Sequence, residues 1–178
     1  CDWLLVGTVG IAGGALGAGF SRSVLSLTRR IRRWKLAPGR KLFIVAGTAG
    51  LAVAVAGLAS GGTAFGTSYA EARLAVQGHE LPASFFLTKL LATLASTVSG
   101  IPGGMFAPSL SVGAGLGNLI GGLFSASLSF AAVLGMAAYF AGAVQSPMTA
   151  FVIVMEMTAT QEHALPLSLI HISEPTRQ

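Results

Sequence analysis

The sequence predicts an all-α membrane protein, and three observations carry that prediction. Of the 178 residues, 53% are hydrophobic and only 10% are charged, whereas a typical soluble domain carries roughly 25% charged residues. Eight of the eleven Lys and Arg residues lie between Arg22 and Lys41. The rest of the chain consists of apolar segments separated by Gly- and Pro-rich breaks. This number of charged side chains is too small to cover a water-soluble surface. Lipid or other membrane protein must therefore surround the chain.

The chain has a net charge of +5, and most of its basic residues lie in a single segment between apolar segments. A basic cluster on a polar domain would suggest nucleic-acid binding, but this cluster lies between two apolar segments. The positive-inside rule assigns such a loop to the cytoplasm. We therefore expect no nucleic-acid partner, and we expect the segment from Arg22 to Lys41 to face the cytoplasm.

The apolar segments follow one another with short interruptions. Several are too short to cross about 30 Å of hydrocarbon at about 1.5 Å per residue. Short segments interrupted by Gly or Pro predict the broken helices of transporters, whose breaks line the substrate site. The first segment is also rich in Gly and Ala, and small residues allow membrane helices to approach closely. The segments are 3–20 with a helical extension to 35, 42–58, 85–98, 106–124, 130–144 and 148–158, with a short amphipathic stretch at 69–76.

The break at 99–108, Ser-Gly-Ile-Pro-Gly-Gly-Met-Phe-Ala-Pro, is the candidate site. Its glycines, including Gly103 and Gly104, end one helix and permit a sharp turn. Pro108 suits the start of the next helix, where a missing N–H costs nothing. The N–H groups of Met105 and Phe106 then have no partner within the helix. An anion is a suitable acceptor for them, because the start of a helix carries partial positive charge.

Two further expectations concern the charge around this break. No Lys or Arg lies between Thr93 and the end of the apolar region. We therefore expect backbone dipoles in a dry cavity, without a fixed charge, to hold the anion. Lys89 is expected to extend its ammonium group to the membrane interface. The alternative for the break is a helical hairpin whose glycines serve packing.

The sequence favours neither an enzyme nor a metal site. The only aspartate is Asp2, and the apolar segments contain no Ser–His or paired-carboxylate arrangement for hydrolysis. The histidines do not have the spacing of zinc ligands. We expect no metal and no cofactor.

Four sequence motifs resemble the CLC family of chloride channels and chloride/proton antiporters. Residues 104–108 match the family's Gly-x-Phe-x-Pro motif. Residues 60–66 are similar to the glycine-rich break before a short family helix. Residues 145–149 resemble the break before the penultimate segments, and residues 154–158 resemble a Leu-Glu-Met-Thr ending. The motifs occur in the family's order, and the resemblance covers about residues 3–166.

The resemblance implies the C-terminal half of a CLC membrane domain, that is, a truncated second inverted repeat of tilted, broken transmembrane helices. It implies a voltage-gated chloride channel or antiporter in which chloride contacts the amides of Met105 and Phe106, with Gly103, Gly104 and Pro108 shaping the site. It also implies a homodimeric, multi-pass integral membrane protein, expected in the lipid bilayer of a bacterial inner membrane. A fluoride-selective branch departs from the Gly-x-Phe-x-Pro pattern. Both a passive channel and a proton-coupled exchanger fit, and the family's gating glutamate belongs to a segment upstream.

The last residues do not continue the membrane pattern. Residues 167–178 read as the translation of a transposase adapter used in sequencing libraries, so we expect residues 1–166 to be the partial transmembrane domain and the tail to be non-native. Two other functions remain open for the apolar region. One is a different broken-helix secondary transporter, and the other is a non-transporting membrane scaffold.

Overall fold

A computed structural model of the chain describes residues 2–35, 38–101 and 104–156. These residues form helices without any strand, which confirms the all-helical prediction. The predicted tail at 167–178 and the last residues of the sixth apolar segment lie outside the described residues. The helices are α1 (Asp2–Arg32), α2 (Pro38–Ala59), α3 (Tyr69–Val76), α4 (Ala83–Val98), α5 (Phe106–Leu123), α6 (Leu128–Val144) and α7 (Pro147–Glu156).

Helix α6 packs between α1 and α5, and glycines make both contacts possible. A side chain at Gly17 of α1 would collide with the backbone of α6, whose Ala143 nitrogen lies 2.7 Å from the added Cβ. On the other side, a Cβ at Gly113 of α5 would lie 2.7 Å from the Cα of Met136. The expected role of small residues in close helix approach is therefore confirmed.

Helix α5 is the most enclosed of the long helices. Its residues from Ser109 through Asn118 are all buried. Leu110 packs with Met136 and Phe140, while Val112 and Leu116 pack with Phe86. Because α5 is surrounded along most of its length, the position and direction of its first turn are fixed by the core.

Helix α2 differs from α5, because among the described helices it packs only against α4. Its outer face is apolar and uncovered, and the Phe43 side chain is 84% exposed. This face agrees with a membrane environment. Three helices, Trp3–Arg32, Leu42–Ala59 and Phe106–Leu123, are long and apolar enough to cross a membrane, and the apolar helices at Ala83–Val98, Leu128–Val144 and Pro147–Glu156 are shorter.

The first break (residues 60–68) separates α2 from α3 and is tied to α5. Three of its glycines and Ser68 have positive φ angles, a conformation that glycine adopts at little cost. The Ser111 hydroxyl of α5 lies 2.7 Å from the carbonyl oxygen of Thr67 and 3.2 Å from that of Ser68. The break is therefore held in a defined conformation by the most buried helix of the fold.

Candidate functional site

The second break (residues 99–105) lies between α4 and α5. Helix α4 ends at Val98, and Gly100 follows with a φ angle of +77°, a common way for a helix to terminate. The Ser99 hydroxyl donates to the Ser96 carbonyl at 2.6 Å and accepts from the Ile101 N–H at 3.2 Å. The end predicted for the segment 85–98 and the start predicted for the segment 106–124 are both confirmed.

The N–H groups in the first turn of α5 have no acceptor within the helix. The Ser109 N–H donates to the Met105 carbonyl at 3.1 Å, and Pro108 has no N–H. The N–H groups of Met105, Phe106 and Ala107 therefore precede Ser109, the first residue whose N–H is bonded within the helix. No side chain caps the helix at Met105.

A cavity of about 220 Å³ lies beside the second break. Gly104, Met105 and Pro108 line this cavity, whereas Phe106 is not among its lining residues. The Phe106 ring instead packs edge-on against Phe140, with 5.6 Å between ring centroids. Gly103 lies outside the described residues. The other lining residues are Val53, Ala64, Gly66, Lys89, Ala92, Thr93, Ser96, Thr97 and Ile101.

One face of α4 supplies the polar wall of the cavity. Lys89, Thr93, Ser96 and Thr97 all line it, and their spacing places them on one side of a helix. A water molecule needs roughly 10–15 Å³ of such space, so the cavity can hold an ion with several waters. The expectation of a dry cavity stays a prediction. The sequence analysis did not identify this polar face. The signal was the helical spacing of its four polar residues, which follow one another after four, three and one positions.

The structure corrects the interpretation of Lys89. Its side chain is only 1% exposed, and its ammonium nitrogen lies 2.6 Å from the Gly66 carbonyl oxygen and 3.2 Å from that of Ala64. It does not extend to the membrane interface, because the carbonyls of the first break accept its hydrogen bonds inside the protein.

Lys89 also overturns the expectation that no fixed charge adjoins the site. Two opposite unit charges about 4 Å apart attract by roughly 1–4 kcal/mol at effective dielectric constants from about 80 down to about 20, and by less at longer range. That contribution is comparable with the effect of a helix terminus, which is worth up to about 2 kcal/mol in partly buried sites. A buried cation and helix dipoles therefore both favour an anion in this cavity.

Thr93 contributes a second polar group. It is 5% exposed, and its hydroxyl has no hydrogen-bond partner within the described residues. The hydroxyl of Thr97, one turn later, differs because it donates to the Thr93 carbonyl at 2.8 Å. A buried hydroxyl without a partner costs free energy, so Thr93 is a candidate to bind an ion or its water.

Comparison with known proteins identifies the architecture. The family described as voltage gated chloride channel matches residues 1–173. The chain belongs to this family. It is 30% identical over 175 residues to the H(+)/Cl(-) exchange transporter ClcA of Yersinia pestis bv. Antiqua (strain Angola), covering 93% of this chain and 36% of that protein. The ClcA of Salmonella paratyphi A is also 30% identical, with 93% and 37% covered.

A solved structure supports the same fold. The chain superimposes on the crystal structure of a CLC-type fluoride/proton antiporter with a TM-score of 0.71 at 22% identity, covering 86% of this chain and 38% of that one. The chain spans about a third of the length of the curated relatives that it matches. Family membership and the apolar helices make it an integral membrane protein.

Proposed function

We propose that this chain is part of an anion transporter that moves chloride across a membrane. The amides of Met105 and Phe106 bind the ion, and Gly103, Gly104 and Pro108 shape the turn that directs them. The observation that carries the proposal is the uncapped start of α5, which adjoins a cavity shared with a buried lysine. Free N–H donors, a helix dipole and a buried cation all favour an anion over a cation.

Chloride is the anion that the comparisons favour over fluoride. The curated relatives are named as H(+)/Cl(-) exchange transporters, whereas the solved relative is a fluoride/proton antiporter. This chain keeps the Gly-x-Phe-x-Pro motif, from which the fluoride branch departs. Chloride is cargo in this proposal, so the transporter requires no separate cofactor and carries out no enzymatic reaction.

The transporter is proposed to be a homodimer that crosses a bacterial inner membrane several times. The exposed Arg and Lys residues at the end of α1 support a cytoplasmic position for that end. A cysteine introduced at Ser23 of the full-length protein tests this orientation. Labelling of Ser23→Cys by an impermeant reagent applied outside intact cells would refute it.

Anion flux tests the function itself. The full-length protein, purified and reconstituted into liposomes loaded with chloride, is expected to release chloride when the membrane potential is dissipated by a potassium ionophore. Liposomes loaded with fluoride are expected to release it more slowly. Residues 1–166 alone are expected to release neither, because the chain spans only part of its relatives. Absence of chloride release from the full-length protein, in a preparation that is folded, would overturn the proposal.

We propose that residues 167–178 are not part of the native protein, although the family match extends to residue 173. Resequencing the genomic locus with a library prepared without a transposase tests this. A native reading frame that encodes the same twelve residues would contradict it.

A further inference from the structure

Lys89 carries a charge that its hydrogen bonds leave uncompensated. Its ammonium group has three N–H donors, and two of them are directed to the carbonyls of Ala64 and Gly66. Carbonyl oxygens accept hydrogen bonds but carry no net charge. The side chain is buried, so solvent screens the charge weakly.

Lys89 is positioned so that its positive charge acts on an ion in the cavity. The residue lines that cavity together with Gly104, Met105 and Pro108, which form the start of α5. The carbonyls that hold Lys89 belong to residues that line the same cavity, Ala64 and Gly66. The charge is therefore fixed in position, and it acts on an ion in the cavity without having to contact it.

The negative charge of Glu71 opposes the electrostatic effect of Lys89. Glu71 is in the first turn of α3 and is half-buried, and its carboxylate interacts electrostatically with Lys89. Glu71 is absent from the residues that line the cavity. Its negative charge reduces the attraction that Lys89 exerts on an anion without occupying the site.

We propose that Lys89 and Glu71 form an electrostatic pair that sets how tightly the cavity binds its anion, with Lys89 strengthening the binding and Glu71 weakening it. This inference rests on the proposed function of the α5 site. Such a pair gives a transporter a means to bind an anion strongly enough to attract it and weakly enough to release it. Neither residue belongs to the Gly-x-Phe-x-Pro segment.

Isothermal titration of chloride into the purified full-length protein tests the pair. Lys89→Gln is expected to weaken chloride binding by about tenfold, which corresponds to about 1.4 kcal/mol. Lys89→Arg keeps the charge and should retain affinity to within about threefold, since arginine also donates to carbonyls. Glu71→Gln is expected to strengthen binding by about threefold, because it removes the opposing charge at longer range.

Arg73→Gln is the matched control. It removes the same charge as Lys89→Gln, from an exposed residue on the same helix as Glu71, and should leave affinity unchanged. If Lys89→Gln fails to fold, the chloride affinity of Glu71→Gln tests the pair, because that variant leaves the hydrogen bonds of Lys89 intact. Unchanged or weaker binding in Glu71→Gln, or equal losses in Lys89→Gln and Arg73→Gln, overturns the pair.

The same titrations separate this inference from the proposed function. A folded wild-type protein that binds no chloride would refute the α5 site itself. Wild-type binding that Gly104→Pro abolishes, but that the Lys89 and Glu71 variants leave unchanged, would keep the site and refute the electrostatic pair.

Discussion

The first and second breaks are both rich in glycine but have different surroundings. In the first break, side chains from elsewhere in the fold bind the backbone. Lys89 binds the carbonyls of Ala64 and Gly66, and Ser111 binds those of Thr67 and Ser68. In the second break, the side-chain hydrogen bonds of the described residues are local ones made by Ser99, and the start of α5 has no side-chain cap.

This difference distinguishes a packing turn from a candidate binding site. Both breaks are glycine-rich, so composition alone does not separate them. A break whose polar groups are satisfied by the protein serves the fold, because its groups are not available to a ligand. A break that leaves donors facing a cavity can bind a ligand. The first break therefore has the features of a packing turn, although its Ala64 and Gly66 also line the cavity, and the second break remains the candidate anion site.

Gly104→Pro should have the largest effect on anion binding. Proline removes the N–H at 104 and fixes φ near −65°, which changes the direction of the amides that follow. We expect chloride affinity in the full-length protein to fall by at least about tenfold, the loss of about one charge-assisted hydrogen bond. Isothermal titration of the folded variant measures this.

Gly104→Ala is the matched control for that variant. An added Cβ at Gly104 meets no atom within 4 Å, and its φ angle is not in the left-handed region. Alanine should therefore leave affinity nearly unchanged. Unaltered chloride binding in a folded Gly104→Pro protein would show that the anion binds elsewhere and that the second break is also a packing turn.

Ser111→Ala tests whether the first break stabilises the fold rather than binding the anion. The buried hydroxyl of Ser111 lies nearest the carbonyl of Thr67, at 2.7 Å, which alanine would leave without that donor. We expect a loss of stability of about 1–3 kcal/mol, measured by denaturation in detergent, with chloride affinity unchanged. Ser26→Ala is the control, since its hydroxyl makes only an exposed bond to Ser23 within the same helix. A fall in affinity comparable with that of Gly104→Pro would mean that the breaks do not have separate roles.

The sequence predicted the helices well because membrane helices have strong local signals. Apolar segments, glycine breaks and Pro108 located the ends of α4 and α5 within a few residues. The motif at 104–108 located the start of α5, because that argument depends on backbone geometry. What could not be predicted was which distant groups meet. The bond from Lys89 to Gly66 spans 23 residues and that from Ser111 to Thr67 spans 44, and such contacts are set by the packing of α4 and α5.

Thr93→Val should lower chloride affinity less than Gly104→Pro does. Valine has the shape of threonine without the hydroxyl, and the Thr93 hydroxyl has no partner within the described residues. Stability should be unchanged or slightly higher, while chloride affinity should fall by about threefold if the hydroxyl binds the ion or its water. Thr97→Val is the control, because that hydroxyl already bonds the Thr93 carbonyl. Equal affinity in both variants would mean that the Thr93 hydroxyl does not contact the ion.

Phe106→Ala should lower chloride affinity less than Gly104→Pro or Thr93→Val and should change anion preference instead. The ring packs against Phe140 and is 53% exposed, so its removal costs about 1 kcal/mol of aromatic packing and leaves the amides in place. Loss of the ring from the first turn of α5 should reduce the discrimination between chloride and larger anions such as nitrate. Competition titrations of chloride against bromide and nitrate measure this preference. Phe124→Ala, which removes a half-exposed ring at the other end of α5, should leave the preference unchanged. A loss of chloride affinity as large as that of Gly104→Pro would mean that the ring, rather than the backbone, holds the anion.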